Sequence, residues 1–228
     1  MPTVSSESRY IRPDGTEGSN RSQDALCISE GDLILFCQSY SSRIPPGYFL
    51  GVAQRESGMI GDQYVTNEHD TDYQDDGSTR ETYGIFQMNK TEALKAHVIP
   101  TADALIDPEN NIKCAAINFE LNLDRILEAS NFTAINEDVW RYLAWGHNAG
   151  IGDPVKSIQR FGLDWQAAIS RDQNEWFMGR LVPYTDAIVE QVRRSIPLGA
   201  GESNTYEEEN LGLVALGVVA VGWMFRKL

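Results

Sequence analysis

The residues that could carry chemistry begin with one glutamate. In QRESG, residues 54–58, Glu56 follows the apolar run GYFLGVA and shares a helical face with Phe49, Val52 and Ala53 at i, i+3, i+4, i+7 spacing. A carboxyl group carried into an apolar stripe is desolvated, which favours its neutral form. A carboxylic acid still protonated near neutrality is a general acid, suited to protonating a leaving oxygen such as that of a glycosidic bond. The plain alternative is a Glu that turns to solvent at a helix end, and periodicity alone leaves both open. Two more stretches offer polar groups. YGIFQMN supplies Gly84, whose lack of a side chain lets backbone approach a ligand, then Ile85 and Phe86, then Gln87 and Asn89, neutral amides able to bind sugar hydroxyls and N-acetyl groups. WGHNAG supplies His147, Asn148 and a helix-stopping Gly150. Each could equally be a capped or well-packed turn.

The elements that must position these residues read as mainly α. ISEGDLILFCQSYSS begins a helix with Leu33, Ile34, Phe36 and Cys37 apolar; Pro45 and Pro46 turn the chain and open a second, with Gly58 at its C′ position. Residues 62–84 are polar and turn-rich around Asp76–Gly77, which predicts an irregular hairpin or a long active-site loop. KTEALKAHV is a short helix. The strongest helix has Asp107 as its cap, Pro108 in first position, and a stripe of Ile112, Ala115, Ala116, Phe119, Leu123, Ile126 and Leu127. Asn136 caps the next, with Val139, Trp140, Leu143 and His147 on one side. Asp153–Pro154 repeats the Asp-cap, Pro-first signature, and after DWQAAIS a long final helix is expected to bend at Pro183. Residues 1–24 read as a flexible arm, 25–195 as the folded domain, 196–210 as a linker and 211–228 as an apolar tail.

Composition removes some functions. A formal net charge of −14 excludes general phosphate-backbone binding, so no nucleic-acid partner is expected. His69, His97 and His147 lie far apart with no ligand-like spacing, so neither metal nor cofactor is expected. Cys27, Cys37 and Cys114 have no CxxC spacing; buried thiols are expected, with a Cys27–Cys37 disulfide as the alternative. The N-terminal residues lack an apolar segment of the secretory kind. By contrast, residues 211–225 are apolar throughout, follow EEEN and are closed by Arg226 and Lys227. These 15 residues fall just short of the ~17–25 of a spanning helix. Interfacial Trp223 and the snorkelling basic pair could extend them. With no polar face to lay on a domain, the run reads as a membrane tail whose charge pattern puts the C-terminus inside.

The order ESG, YGIFQ-N, HNAG, PYTDAIVEQV resembles the soluble lytic transglycosylases, the goose-lysozyme-like branch of the lysozyme superfamily, from about Leu33 to Val192. The resemblance implies a lysozyme-like helical domain with a small irregular β-hairpin or loop insertion, to which the apolar C-terminal helix is added. It implies that Glu56 is the sole catalytic acid/base, with Ser57 lining the site. It further implies that Gly84, Ile85, Phe86 and Gln87 form the turn that binds the sugar chain, that Gly146 to Gly150 match the A-Y-N-A-G motif, and that Tyr184 is the late tyrosine that reaches the glutamate. His147 departs from the pattern, standing where the motif has tyrosine. DGSTRETYG is also similar to the hairpin of the c-type lysozymes, but Thr82 occupies the place of their second carboxylate. Glu81, one residue earlier, would point to the opposite face of a strand. It or Asp62 could serve a hydrolase only if the loop turned it inward, since paired carboxyl groups must lie ~5–9.5 Å apart.

The function so implied is cleavage of the MurNAc–GlcNAc β-1,4 bond of peptidoglycan to leave 1,6-anhydro-MurNAc ends. The alternatives are a lysozyme-type hydrolase and a non-catalytic glycan-binding virion component. A wall-cutting domain with this tail suits a virion of a bacteriophage with an internal membrane, opening the wall for genome entry. The other setting is a bacterial inner membrane with the domain outside.

Overall fold

The computed structural model describes residues 10–11, 17–18, 25–73, 78–131, 135–171 and 174–195. Its helices start where short polar side chains can satisfy open N–H groups. Ser29 caps α1 (Glu30–Tyr40) through Asp32 N. Pro46 opens α2 (Pro46–Glu56), and Asn89 and Glu92 form a capping box on α3 (Lys90–Lys95). Thr101 caps the short α4 (Ala102–Ile106), which periodicity does not reveal. Asp107 accepts from Asn110 N at 2.9 Å to start the 22-residue α5 (Pro108–Ala129), and Asn136 caps α6 (Glu137–Ala149).

After α6 come α7 (Gly152–Phe161), α8 (Trp165–Arg171), a π-helical turn (Phe177–Leu181) and α9 (Val182–Ser195). Two expectations are corrected here. Asp153 does not cap α7, which begins at Gly152; Asp153 lies in the first turn and pairs with Lys156 at 3.0 Å. The irregularity expected at Pro183 is the π turn just before it: proline has no N–H for an i→i−4 bond, and the Val182 N–H reaches back to the Phe177 carbonyl.

More strand is present than one hairpin. Cys27–Ser29 (β3), of which Ile28 and Ser29 were expected to open α1, joins β4 (Met59–Ile60) and β5 (Gln63–Val65) in an antiparallel sheet. Tyr10–Ile11 (β1) and Glu17–Gly18 (β2), from the segment read as an arm, complete the order β2-β1-β4-β5-β3. The expected hairpin is β6 (His69–Tyr73) on β7 (Thr79–Tyr83), with Asp70 opposite Thr82 and Thr71 opposite Glu81. Cys37 and Cys114 are buried, Cys27 is half-buried, and no disulfide joins them.

The core is built around α5, which packs against α1, α3, α4, α6 and α7. Its Phe119 meets Tyr48 and Phe49 of α2 and Phe86 of the turn after β7, at centroid separations of 5.4, 5.8 and 5.9 Å. All four rings are 1% exposed or less, and each such burial stabilises by roughly 1.5–3 kcal/mol. Helices α2 and α9 approach unusually closely. A Cβ on Gly47 would overlap the Gln191 carbonyl oxygen, and one on Gly51 would sit 2.9 Å from Ile188 Cα. Bidentate bonds from Arg193 to Glu137, both 2.6 Å, tie α9 to α6 as well. The three helices α2, α6 and α9 therefore converge. The linker and apolar tail expected beyond residue 195 lie outside the described residues; among those residues no helix is long and apolar enough to cross a membrane.

Candidate active site

Glu56 is the last residue of α2, and its side chain is 18% exposed, neither sealed in nor free to turn out. Three helices meet at it. From α9, the Tyr184 hydroxyl donates to Glu56 Oε1. From the last turn of α6, His147 Nε2 lies 3.6 Å from the same oxygen. From α2 itself, Tyr48 is wholly buried, with a hydroxyl that has no hydrogen-bond partner among the described residues. Burial and then the negative charge of Glu56 push the Tyr184 and Tyr48 phenols well above their ordinary range. Both stay protonated and can donate. The Arg55 guanidinium lies 5.9 Å from the Tyr184 ring centroid and screens that phenol in part. Burial holds the His147 imidazole below its ordinary pKa, so near neutrality it carries no charge.

The side chains of the turn after β7 are engaged within the fold. Ile85 and Phe86 are fully buried, and Gly84 (φ +76°) leaves room for the Asn111 side chain and the Leu105 carbonyl, not for a ligand. Gln87 is spent inside the turn: its Nε2 donates to the Gly84 carbonyl and its Oε1 accepts from Thr82 Oγ1, both at 2.8 Å. These bonds hold Gln87 at φ +49°, a conformation that costs a non-glycine residue about 1 kcal/mol or more. Asn89 is the α3 cap, accepting from Thr91 N and Glu92 N. Ser57 is buried and donates to the Ala53 carbonyl at 3.0 Å instead of lining the site. Asn148 is exposed at the end of α6.

Two residues at this site escape the sequence reading. Asn111 anchors the turn from α5: its Nδ2 donates to the Tyr83 and Leu105 carbonyls, both at 2.7 Å, and its Oδ1 accepts from Phe86 N at 2.9 Å. An amide interrupting the apolar stripe of α5, one residue before Ile112, was the signal. Tyr48 is the other, a polar tip in an otherwise apolar run of α2.

Glu81 does not join Glu56. It is exposed, receives the Tyr83 hydroxyl and lies 4.0 Å from Lys90 Nζ; these contacts hold its carboxyl below the usual range. Thr82 beside it points inward to Gln87, as strand alternation requires. Asp62 is exposed in the β4–β5 turn. Among the described residues no group of three or more His, Cys, Asp or Glu side chains is arranged to hold a metal ion.

One partly sheltered carboxyl, braced by a phenol and flanked by a neutral imidazole, can give up a proton and take one back. The chain belongs to the transglycosylase SLT domain family, whose match spans residues 35–163, more than half its length. Membership implies a lysozyme-like helical fold and lytic transglycosylase activity on peptidoglycan. Glu56, the turn and His147 fall within the match; Tyr184 lies beyond it, and its link to Glu56 is geometric. Neither curated proteins nor solved structures yield a match.

Proposed function

We propose that Glu56 is both acid and base in cleavage of the MurNAc–GlcNAc β-1,4 bond, giving 1,6-anhydro-MurNAc ends. The observation that carries this is the pairing of a half-buried Glu56 with the Tyr184 hydroxyl while Glu81 is tied to Tyr83 and Lys90 at the surface. Glu56 gives its proton to the bridging oxygen, and the C1–O bond breaks. The substrate's own N-acetyl group shelters the cationic C1. Glu56, now a carboxylate, takes the proton of the muramyl 6-hydroxyl as that oxygen bonds to C1. No water enters, and the residue ends protonated as it began. Tyr184 supports the carboxylate halfway through by donating to it.

Mass spectrometry of muropeptides released from purified peptidoglycan tests the proposal, with Glu56→Gln as control. Anhydro-muramyl ends, lighter by one water and absent from the control, are expected. Reducing muramyl ends would overturn it in favour of a hydrolase, with Glu81 or Asp62 as the carboxylate to examine. The setting proposed is a bacteriophage virion membrane, with genome entry as the purpose; the apolar run 211–225 closed by Arg226 and Lys227 supports it. The protein should then survive protease treatment of purified particles; recovery only from host membranes would overturn that setting.

A further inference from the structure

Among the described residues one cation beside Glu56 has no anion partner. Arg55 precedes Glu56 in the last turn of α2 and is half-buried. Its Nε is buried with no hydrogen-bond partner, and its guanidinium rests 5.9 Å from the Tyr184 ring centroid. Among the described residues it forms no ion pair, although the chain carries 33 Asp and Glu against 19 Lys and Arg. A guanidinium that only braces a fold is ordinarily given a carboxylate or a carbonyl, because a buried N–H left unpaired costs stability. Arg43 and Arg193 are paired in that way, the first with Glu120 and Asp124 and the second with Glu137.

Arg55 stands at one end of a groove between α2 and α9. Gly47 meets Gln191, Gly51 meets Ile188 and Arg55 meets Tyr184, so the two helices run antiparallel. The groove holds about 200 Å³ and is lined by Gly51, Gln54 and Arg55 on α2 and by Glu190, Gln191 and Arg194 on α9. Gln191 Nε2 donates to Gln54 Oε1 at 3.3 Å, and Glu190 pairs with Arg194 at 3.2 Å. Of the three charges, Glu190 and Arg194 offset each other and Arg55 is left over. Tyr184 joins this end of the groove to the candidate site, with its hydroxyl on Glu56 and its ring beside Arg55.

A guanidinium offers parallel N–H groups that a carboxylate accepts in pairs. Peptidoglycan carries free carboxylates on the peptide stem attached to its muramyl sugar. A chain of net charge −14 needs a local cation to hold them. We propose that Arg55 binds a free carboxylate of the peptide stem, so that strands bearing acidic stems are the preferred substrate. The proposal rests on the reading of Glu56 as the acid that cuts peptidoglycan.

Its test is binding of the full chain to peptidoglycan sacculi free of accessory polymers. The Glu56→Gln background blocks cutting, and about 0.15 M salt screens long-range repulsion. Native sacculi are compared with sacculi whose carboxylates have been converted to amides by carbodiimide and ammonia, which keeps their size and removes their charge. With Arg55 intact, the amidated form should bind about ten-fold more weakly. Arg55→Gln should lose about ten-fold on native sacculi and nothing on amidated ones. Arg125→Gln, the same charge change at an exposed position on α5, should lose nothing on either. Arg55→Lys keeps the charge without the fork; it should retain part of the discrimination, and it carries the test if Arg55→Gln does not fold. Equal binding of both sacculi with Arg55 intact would overturn the proposal, as would an equal loss on both in Arg55→Gln, the mark of a role in packing alone. Muropeptide release that survives Glu56→Gln would bring down the reading of Glu56. Release abolished there, with no effect of amidation on binding, brings down only the role of Arg55.

Discussion

Glu56 and Glu81 are the same side chain in two settings, and each setting has its own cause. Glu56 closes a helix whose backbone is pressed against α9, and what surrounds it arrives from α6 and α9: an imidazole and a phenol. Glu81 sits on the solvent face of a two-stranded ribbon, and its partners are Tyr83, two residues away, and Lys90. Long-range packing brings partial burial, a hydrogen-bonding phenol and a neutral imidazole. Local contacts bring solvent and a cation. The first suits a group that must change its protonation during a reaction, and the second keeps a carboxylate charged.

The contrast can be broken most severely at Glu56 itself. Glu56→Gln keeps the shape and removes the transferable proton, so muropeptide release should fall by about 10²–10⁴-fold while circular dichroism is unchanged. Asn111→Ala strikes at the support. Phe86 N and the Leu105 carbonyl lose this partner, the Tyr83 carbonyl keeps only Met88 N, and urea unfolding should report a loss of roughly 2–4 kcal/mol together with reduced activity. Gly47→Ala forces α2 away from α9, at a cost of about 1–3 kcal/mol by the same measurement, with activity falling further than stability alone explains because Glu56 and Tyr184 separate.

Glu81→Gln should do least. Activity at neutral pH should stay within two-fold, a limit ordinary for surface changes. Its effect on stability has a sign that can be worked out. The folded carboxyl is held below its unfolded value, so its contribution is present above the ordinary carboxylate range and is lost as pH falls through the folded value. The variant should therefore lose slightly less stability than wild type on acidification below about pH 4.3. A large loss of activity in Glu81→Gln would erase the distinction and revive the two-carboxylate mechanism.

Much of the scaffold was legible because its signals are local. The caps at Asp107 and Asn136 and the proline at the head of α2 act within one turn, and the stripes of α2, α5 and α6 repeat at the helical period. The three residues that converge, Glu56, His147 and Tyr184, were all named from the sequence. The packing of the turn is not legible in its own residues, for a physical reason. A glycine, two apolar residues and an amide are what a ligand-binding loop uses, and also what a tight buried turn uses; only Asn111, more than twenty residues away, decides between them. Strands of two or three residues carry no period, so β1 to β5 could not be read. Asp153–Pro154 carries a cap signature, yet α7 starts two residues before Pro154, and nothing local marks that choice.

The close seating of α2 on α9 also bears on time. Glu56 and Tyr184 are 128 residues apart, so a growing chain carries the glutamate long before the tyrosine exists. Chains are made from the N-terminus at about 5–20 residues per second, and α9 is the last helix among the described residues. A nascent or C-terminally clipped chain would hold the carboxyl without the phenol that steadies it. Wall cleavage by such a chain would thus stay weakened until α9 has docked.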